Sequence, residues 1–427
     1  MDIKHIVLDY AQDLDAGDRL AIFRDKFYIP DENIIYLDGN SLGRLPKETA
    51  AILNQEISQH WGEQLIRSWN ANWIQTSRQA GDKIARLIGA SPGEVLVSDS
   101  TSINLFKLVL AALQARVERR IIVSDVFNFP SDLYVVQGIT QLLNSNHQIK
   151  MVPSDDDMSI PINALDNAID SDTALVYLTH VSYRNAFMYD MQAVTELAHK
   201  QGSLILWDLS HSTGAVPLEL NQWNVDLAVG CTYKYLNAGP GAPAFLYVRK
   251  DLQDMLVSPI WGWFGAKQPF KFALDYEPTP GIDRFQTGTP PILSMKAIEP
   301  AVDIILDAGI DNIREKSIRQ TEYLISLADL LLKPLGIEVI SPRDSRMRGS
   351  HVSLKHNEAY RICQAMIKPR QSKPIVIPDF RAPDLIRLGI SPLYNTYSEI
   401  NLAVHRIKSI IETRTYDRFS KDWLPVT

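Results

Sequence analysis

Cysteine is nearly absent: Cys231 and Cys363 are the only two in 427 residues. Such scarcity excludes a disulfide scaffold and a cysteine-rich zinc site, and it fits a reducing compartment. Long apolar runs are missing as well, none approaching the about 20 residues that a spanning helix needs. The opening stretch MDIKHIVLDYAQDLDAGDRL is broken by charge every few residues, unlike a signal peptide or an anchor. A soluble, cytoplasmic protein with no membrane partner is therefore expected. Excess positive charge is lacking too. A net charge of -7 and a pI near 5.8 give no electrostatic case for nucleic acid as a partner, so any anionic ligand must be held by local features. No Gly-x-Gly-x-x-Gly follows a strand and there is no Walker A sequence, which leaves dinucleotide and nucleoside triphosphate chemistry unsupported. The nine histidines show no metal-ligand spacing, and no metal site is expected.

What is present is ordinary for a globular protein, with 45% hydrophobic and 22% charged residues. The length exceeds what one hydrophobic core sustains, so two domains sharing a cleft are expected. Ile6 to Phe27 reads as one amphipathic helix, Ile34 to Leu37 as a short strand closed by the turn Asp38-Gly39-Asn40, and Pro46 to Leu87 as helical. Beyond Ser91-Pro92-Gly93, short apolar runs alternate with helical stretches. They are Val95 to Val97, Ile121 to Val123, Ile149 to Val152, Leu175 to Leu178, Leu204 to Trp207, Leu227 to Cys231 and Phe245 to Val248. The alternation indicates βαβ units and a large, mainly parallel seven-stranded sheet whose strands are buried on both faces. A Gly- and Pro-rich loop joins the last two runs, so one antiparallel neighbour is expected. An amphipathic stretch from Pro291 to Leu332 leads to a smaller α+β part, where Ile337 to Ile340 and His351 to Leu354 read as strands. The expected division is an N-terminal arm and helix over 1–50, a large domain over 51–305 and a small C-terminal domain over 306–427.

Ligands of an open α/β sheet bind beyond the carboxyl ends of its strands. Asp208 follows the Leu204 to Trp207 run directly; a carboxylate there either partners a buried cation, such as a protonated pyridine, or caps a helix. Lys234 follows the next run, ahead of Gly239-Pro240-Gly241, at a lip where a partly desolvated amine suits Schiff-base chemistry. A lone loop lysine is usually just solvated; the strand-end aspartate before it raises the functional reading. Ser98 to Ser102 lead into a helix over Ile103 to Leu113, where hydroxyls and backbone N–H groups suit a phosphate but also serve plain capping. Phe129 could stack on a flat ring or be ordinary core. Trp261 to Gly265 reads as a binding loop or an interface. Arg387, in Leu385 to Gly389, either snorkels to the surface or clamps a carboxylate.

Taken together these segments resemble the kynureninase family. Leu37-Asp38-Gly39-Asn40-Ser41-Leu42-Gly43, Phe129-Pro130-Ser131-Asp132, Trp207-Asp208-Leu209-Ser210-His211, Tyr233 to Gly241, Gly262-Trp263-Phe264-Gly265 and Gly288-Thr289-Pro290-Pro291 occur in that family's order and approximate spacing. The similarity runs from about Leu37 to Asn395. It implies the aspartate aminotransferase-type fold (fold type I), pyridoxal 5'-phosphate (PLP) as cofactor, and a homodimer with shared active sites. The implied reaction is hydrolysis of L-kynurenine to anthranilate and L-alanine. By position, Lys234 would carry the cofactor, Asp208 would pair with the pyridinium, Phe129 would stack on the ring, and Asp132 and His211 would lie close to it. Thr101, Ser102 and Tyr233 would serve the phosphate region, with Thr179 nearby and Tyr233 a proton donor. Trp263 and Thr289 would come from the neighbouring subunit. Arg387 would clamp the substrate carboxylate, with Asn40 and Trp69 also facing substrate.

The chain departs from the family between Val181 and Asp190. Relatives usually carry a Thr-Gly pair and a histidine where this chain has Asn185-Ala186 and Tyr189. In that family a histidine and an asparagine facing the aryl ring accompany preference for 3-hydroxykynurenine; here the second position is Thr289 and the first falls near Trp69, so the unhydroxylated substrate is the expected one. The enzymatic alternatives are other fold type I reactions on a related aryl amino acid, such as transamination or lysis, and cysteine desulfuration. A desulfurase needs a nucleophilic cysteine on a mobile loop, whereas Cys363 falls in a helical pattern and Cys231 in an expected strand. A non-enzymatic PLP-fold protein would have lost Lys234 or Asp208, and both are present.

Overall fold

The apolar runs do become one sheet. In the computed structural model, which describes residues 7–143, 146–369 and 374–422, seven strands lie side by side. Their order is Val95–Val97, Phe245–Val248, Leu227–Gly230, Leu204–Asp208, Thr173–Thr179, Ile121–Asp125 and Gln148–Val152. Phe245–Val248 runs antiparallel to both neighbours and the other pairs are parallel. The five strands from Val95–Val97 to Thr173–Thr179 in that order are buried throughout, as covered parallel strands must be. The Gln148–Val152 strand is an edge and shows solvent Gln148, Lys150 and Met151. The helix Thr101–Gln114 lays Leu105, Leu108, Val109 and Ala112 on Leu175, Leu206, Val229 and Leu246. Each such buried aliphatic side chain contributes roughly 1.5–3 kcal/mol.

This sheet belongs to one of two compact units, made of Glu48–Tyr183 and Tyr189–Asp303; the other consists of Met1–Lys47, Arg184–Met188 and Ile304–Thr427. Within the second unit, Asp379–Arg381, Leu385–Gly389, His351–Lys355 and Glu338–Val339 form an antiparallel sheet in that order. Ile34–Tyr36 pairs in parallel with Ile375–Ile377. Val352, Leu354, Ile386 and Leu388 meet Ile362, Val404 and Ile407 from the helices Ala359–Ile367 and Tyr397–Glu412. The latter helix opens on a capping box of Thr396 and Glu399.

Two helical expectations are corrected. The stretch from Ile6 to Phe27 is two helices, Leu8–Ala16 and Ala21–Arg24; Ile6, its expected start, lies outside the described residues. Asp18 accepts from the Leu20 N–H at 2.9 Å, a local turn that competes with helix continuation after Gly17. The stretch from Pro46 to Leu87 is broken as well. A wide-turn helix over Glu56–Gln64 ends at Leu65, whose φ is 55°, and short turns lead into Thr76–Leu87. The Ser68 hydroxyl donates to the His60 carbonyl at 2.7 Å and fixes that break. Among the described residues no helix is long and apolar enough to cross a membrane.

Candidate active site

Strand order reverses between Ile121–Asp125 and Thr173–Thr179: the chain leaves the first toward one edge and the second toward the other. A crevice opens there beyond the carboxyl ends, the place where open α/β sheets bind ligands. The Thr179 hydroxyl spans it, donating to Asn128 Oδ1 at 2.6 Å. A cavity of about 520 Å³ lies at these strand ends, and Ser100, Phe129, Asp132, Asp208, His211 and Lys234 are among the residues that line it.

Lys234 and His211 meet in this cavity, with Nζ 3.1 Å from Nε2. Asp208 ends its strand, buried, and accepts from the Ser210 N–H at 2.8 Å. No helix follows it, which removes the helix-cap reading. Asp132 is the third residue of the helix Pro130–Leu143, and the Tyr177 hydroxyl donates to it at 2.6 Å. Burial, and then the neighbouring Asp208, push the Asp132 carboxyl up to about 8. Burial also raises Asp208, and the Lys234 ammonium opposes that rise. Two adjacent buried carboxyls cannot both ionise cheaply. The buried pair therefore holds on to a proton beside Lys234, with the larger upward push on Asp132.

At the other end of the cavity the helix Thr101–Gln114 begins two residues earlier than expected. Ser100 is its cap, its hydroxyl accepting from Ile103 N–H, and Thr101 and Ser102 fall in the first turn. Both line the cavity, where the helix dipole and the hydroxyls suit an anion. Asp99, at a φ of 50°, precedes that turn and also lines the cavity. It pairs with the buried Lys107 at 2.9 Å and accepts from Ser98 and Thr287, and these partners hold its carboxyl below the usual range against burial. Tyr233 lines the cavity beside Lys234, its phenol pushed up first by Cys231 and then by burial. Phe129 and Tyr183 meet edge to face at 5.1 Å on the wall.

Of the residues expected at the site, Thr101, Ser102, Phe129, Asp132, Thr179, Asp208, His211, Tyr233 and Lys234 come together around this one cavity. Trp69, Trp263 and Thr289 belong to the same unit but lie outside its wall. Trp69 packs on Trp73 and Phe264, Trp263 on Phe264 and Phe270, and Thr289 is exposed. Arg387 and Asn40 belong to the other unit. Arg387 is 1% exposed, which excludes snorkelling, and pairs with Asp379 at 2.5 Å and Ser41 at 2.7 Å. Asn40 is fully buried where a Cβ on Gly389 would strike it at 1.9 Å, so that strand position must be glycine. Sequence reasoning missed Tyr183, Tyr177 and Asp125. The first two sit in apolar or mixed runs without a motif, and Asp125 looked like any residue after a strand. Both thiols are buried, Cys363 in the helix Ala359–Ile367 and Cys231 just past its strand, so neither is a loop nucleophile.

Several solved structures share the fold at low identity. An apo cysteine desulfurase from Thermococcus onnurineus NA1 superposes with a TM-score of 0.78 at 18% identity, over 92% of this chain and 98% of that one. The cysteine desulfurase CsdA from Escherichia coli gives 0.77 at 16%, over 92% and 99%. A C-DES mutant with glycine covalently linked to its PLP cofactor gives 0.74 at 18%, over 89% and 99%. The architecture is therefore fold type I, as expected. A family model described as the kynureninase C-terminal domain matches residues 313–407. The kynureninase of Pseudomonas fluorescens is 43% identical over 408 residues, 94% of this chain and 95% of that one. That of Burkholderia pseudomallei (strain 1106a) matches at the same identity and coverage. With relatives this similar along nearly their whole length, the chain belongs to the kynureninase family.

Proposed function

We propose that the protein is a PLP-dependent hydrolase that cleaves the Cβ–Cγ bond of L-kynurenine with one water, giving anthranilate and L-alanine. The observation that carries this reading is the amine of Lys234 in one cavity with the Asp208 carboxyl and the Ser100–Ser102 turn. PLP needs an amine to hold its aldehyde, an anion for its pyridinium and donors for its phosphate. The cavity presents all three in separate places, so the residues fit the group.

When bound, PLP supplies an electron sink for charge developing at the substrate α-carbon. Asp208 would hold the proton on the pyridine nitrogen, with the buried Asp132 beside it. Phe129 orients the ring from the wall, and Thr101 and Ser102 bind the phosphate. Lys234 would carry the cofactor, and its Nζ would take the Cα proton of the substrate. Tyr233, with its phenol kept protonated by its surroundings, donates a proton in the later steps. Arg387 binds the substrate carboxylate and Asn40 assists it. Trp69 and Thr289 shape the aryl pocket for the unhydroxylated ring.

A homodimer with shared sites is part of the same proposal. Trp261, Phe270, Phe272 and Leu274 are exposed on one short segment beside Trp263, an apolar grouping of the kind that interfaces cover. A partner there would bring Trp263 and Thr289 to the neighbouring cavity. A cytoplasmic location is proposed from the two reduced, buried cysteines.

The test is incubation of PLP-loaded protein with L-kynurenine while anthranilate fluorescence is followed, with 3-hydroxykynurenine in parallel. Anthranilate and alanine in equal amounts, faster from kynurenine, are expected. A cofactor spectral change without anthranilate would replace the reaction with another of the fold type I class.

A further inference from the structure

Asp125 ends the Ile121–Asp125 strand at the crevice, fully buried, and hydrogen bonds hold its carboxylate. The Tyr189 hydroxyl donates to Oδ2 at 2.7 Å and the Phe127 N–H to Oδ1 at 2.5 Å. Tyr189 stands on the far side of the crevice. Its N–H donates to the His180 carbonyl at 3.1 Å, and its ring lies 5.8 Å from Trp207. One bond thus ties the end of one strand to the segment that follows its neighbour.

The tie continues toward the cavity. Asp125 closes the turn over Val126 and Phe127, and the Asn128 N–H donates to the Asp125 carbonyl at 3.3 Å. Asn128 is buried and used on every side: its amide donates to Ser124 at 2.9 Å, and its oxygen accepts from Thr179 and from the Phe129 N–H at 2.8 Å. The Phe129 carbonyl then accepts from Asp132 N–H at 2.9 Å. Every link between Tyr189 and the Phe129 ring is a hydrogen bond or a peptide unit, and none touches Lys234.

We propose that Tyr189 is a positioning residue for the cofactor ring: acting through Asp125, it fixes the turn that sets Phe129 against PLP. The inference rests on Phe129 facing the ring, as in the function proposed above.

The experiment is a double-mutant cycle on the full-length protein, stripped of cofactor and titrated with PLP. Tyr189→Phe removes one oxygen and keeps the ring on Trp207. It should raise the PLP dissociation constant about fivefold and weaken the visible circular dichroism of the bound cofactor, while the Lys234 linkage still forms. Phe129→Leu should do the same to a larger extent, about tenfold. Together they should lose no more than Phe129→Leu alone, because the first change acts through the second residue. Additive losses, or unchanged PLP affinity in either single variant, would overturn the proposal. If the unaltered protein bound no PLP, the function itself would fall, an outcome read before any variant is made. Should Tyr189→Phe not fold, Asp125→Asn takes its place in the cycle, leaving an amide where two donors meet an anion, and the same overlap is required.

Discussion

Asp379 lies directly opposite Arg387 across the antiparallel pair of Asp379–Arg381 and Leu385–Gly389, and the two side chains meet at 2.5 Å. Arg381 approaches the same carboxylate at 2.6 Å, and Asp38 stands 3.9 Å from Arg387. A buried guanidinium in this setting is the counter-ion of its own sheet, and in the function proposed above it also clamps the substrate carboxylate. Arg387→Ala would leave Asp379 desolvated with a half-exposed partner, at a cost of about 3 kcal/mol in urea unfolding. It should also lower kcat/KM for kynurenine about 100-fold while the visible PLP band persists. Unchanged kinetics would take Arg387 out of the substrate site and leave only its structural part.

Lys234→Ala removes the amine beside His211 and Asp208. PLP should then show the spectrum of the free aldehyde, without the visible band of the linked cofactor, and turnover should fall by about 10⁴-fold or more, as when a nucleophile is lost. Persistence of that band after dialysis would mean that another amine carries the cofactor.

The Asp132 carboxyl sets a pH dependence whose sign can be worked out. Its folded value, near 8, lies above the ordinary value of 3.8, so the unfolded chain releases this proton first as pH rises. The folded state is favoured fully below about 4 and loses that advantage up to about 8. Asp125, raised by burial to about 6, acts in the same direction but is spent by then. In cofactor-free protein the melting temperature should therefore fall between pH 6.5 and 8. Asp132→Asn should flatten that window and lessen, without abolishing, the fall between pH 4 and 6, where Asp125 still contributes. An unaltered slope above pH 6.5 would place the proton elsewhere.

The sheet was legible because seven runs of β-branched and aliphatic residues each stop at a turn signal, and periodicity reads such runs well. Lys234 and Asp208 were legible for a related reason: each directly follows such a run, where α/β sheets bind ligands. What escaped were contacts made across the fold. The Tyr177 hydroxyl on Asp132 and the Tyr189 hydroxyl on Asp125 join residues far apart in the chain, and no local pattern announces a buried phenol's partner. The strands Ile375–Ile377 and Asp379–Arg381 also escaped, each being three residues long, and Pro378 between them argued against strand. The helix break at Leu65 was hidden because nothing in Gln64-Leu65-Ile66 demands a positive φ.

Ala186 has a φ of 66° and is fully buried, a left-handed backbone at the position where relatives usually carry glycine. The loop keeps its shape without that glycine because neighbours determine it. Asn185 accepts from the Phe187 N–H at 3.0 Å, closing a turn across Ala186. The Ala186 carbonyl accepts from Gly349 at 2.8 Å, and the Arg184 carbonyl accepts from Ser353 at 2.6 Å. The strain of an L side chain there is about 1–2 kcal/mol, and a glycine's extra freedom in the unfolded chain takes back about 0.5–1 kcal/mol. Ala186→Gly should therefore raise stability by about 0.5–1 kcal/mol, seen as a higher urea midpoint at unchanged slope. Asn185→Ala should act the other way, since it opens the turn while Ala186 stays strained; about 1 kcal/mol is expected. If Ala186→Gly lowered the midpoint, the methyl group would be contributing more by packing than the left-handed backbone costs.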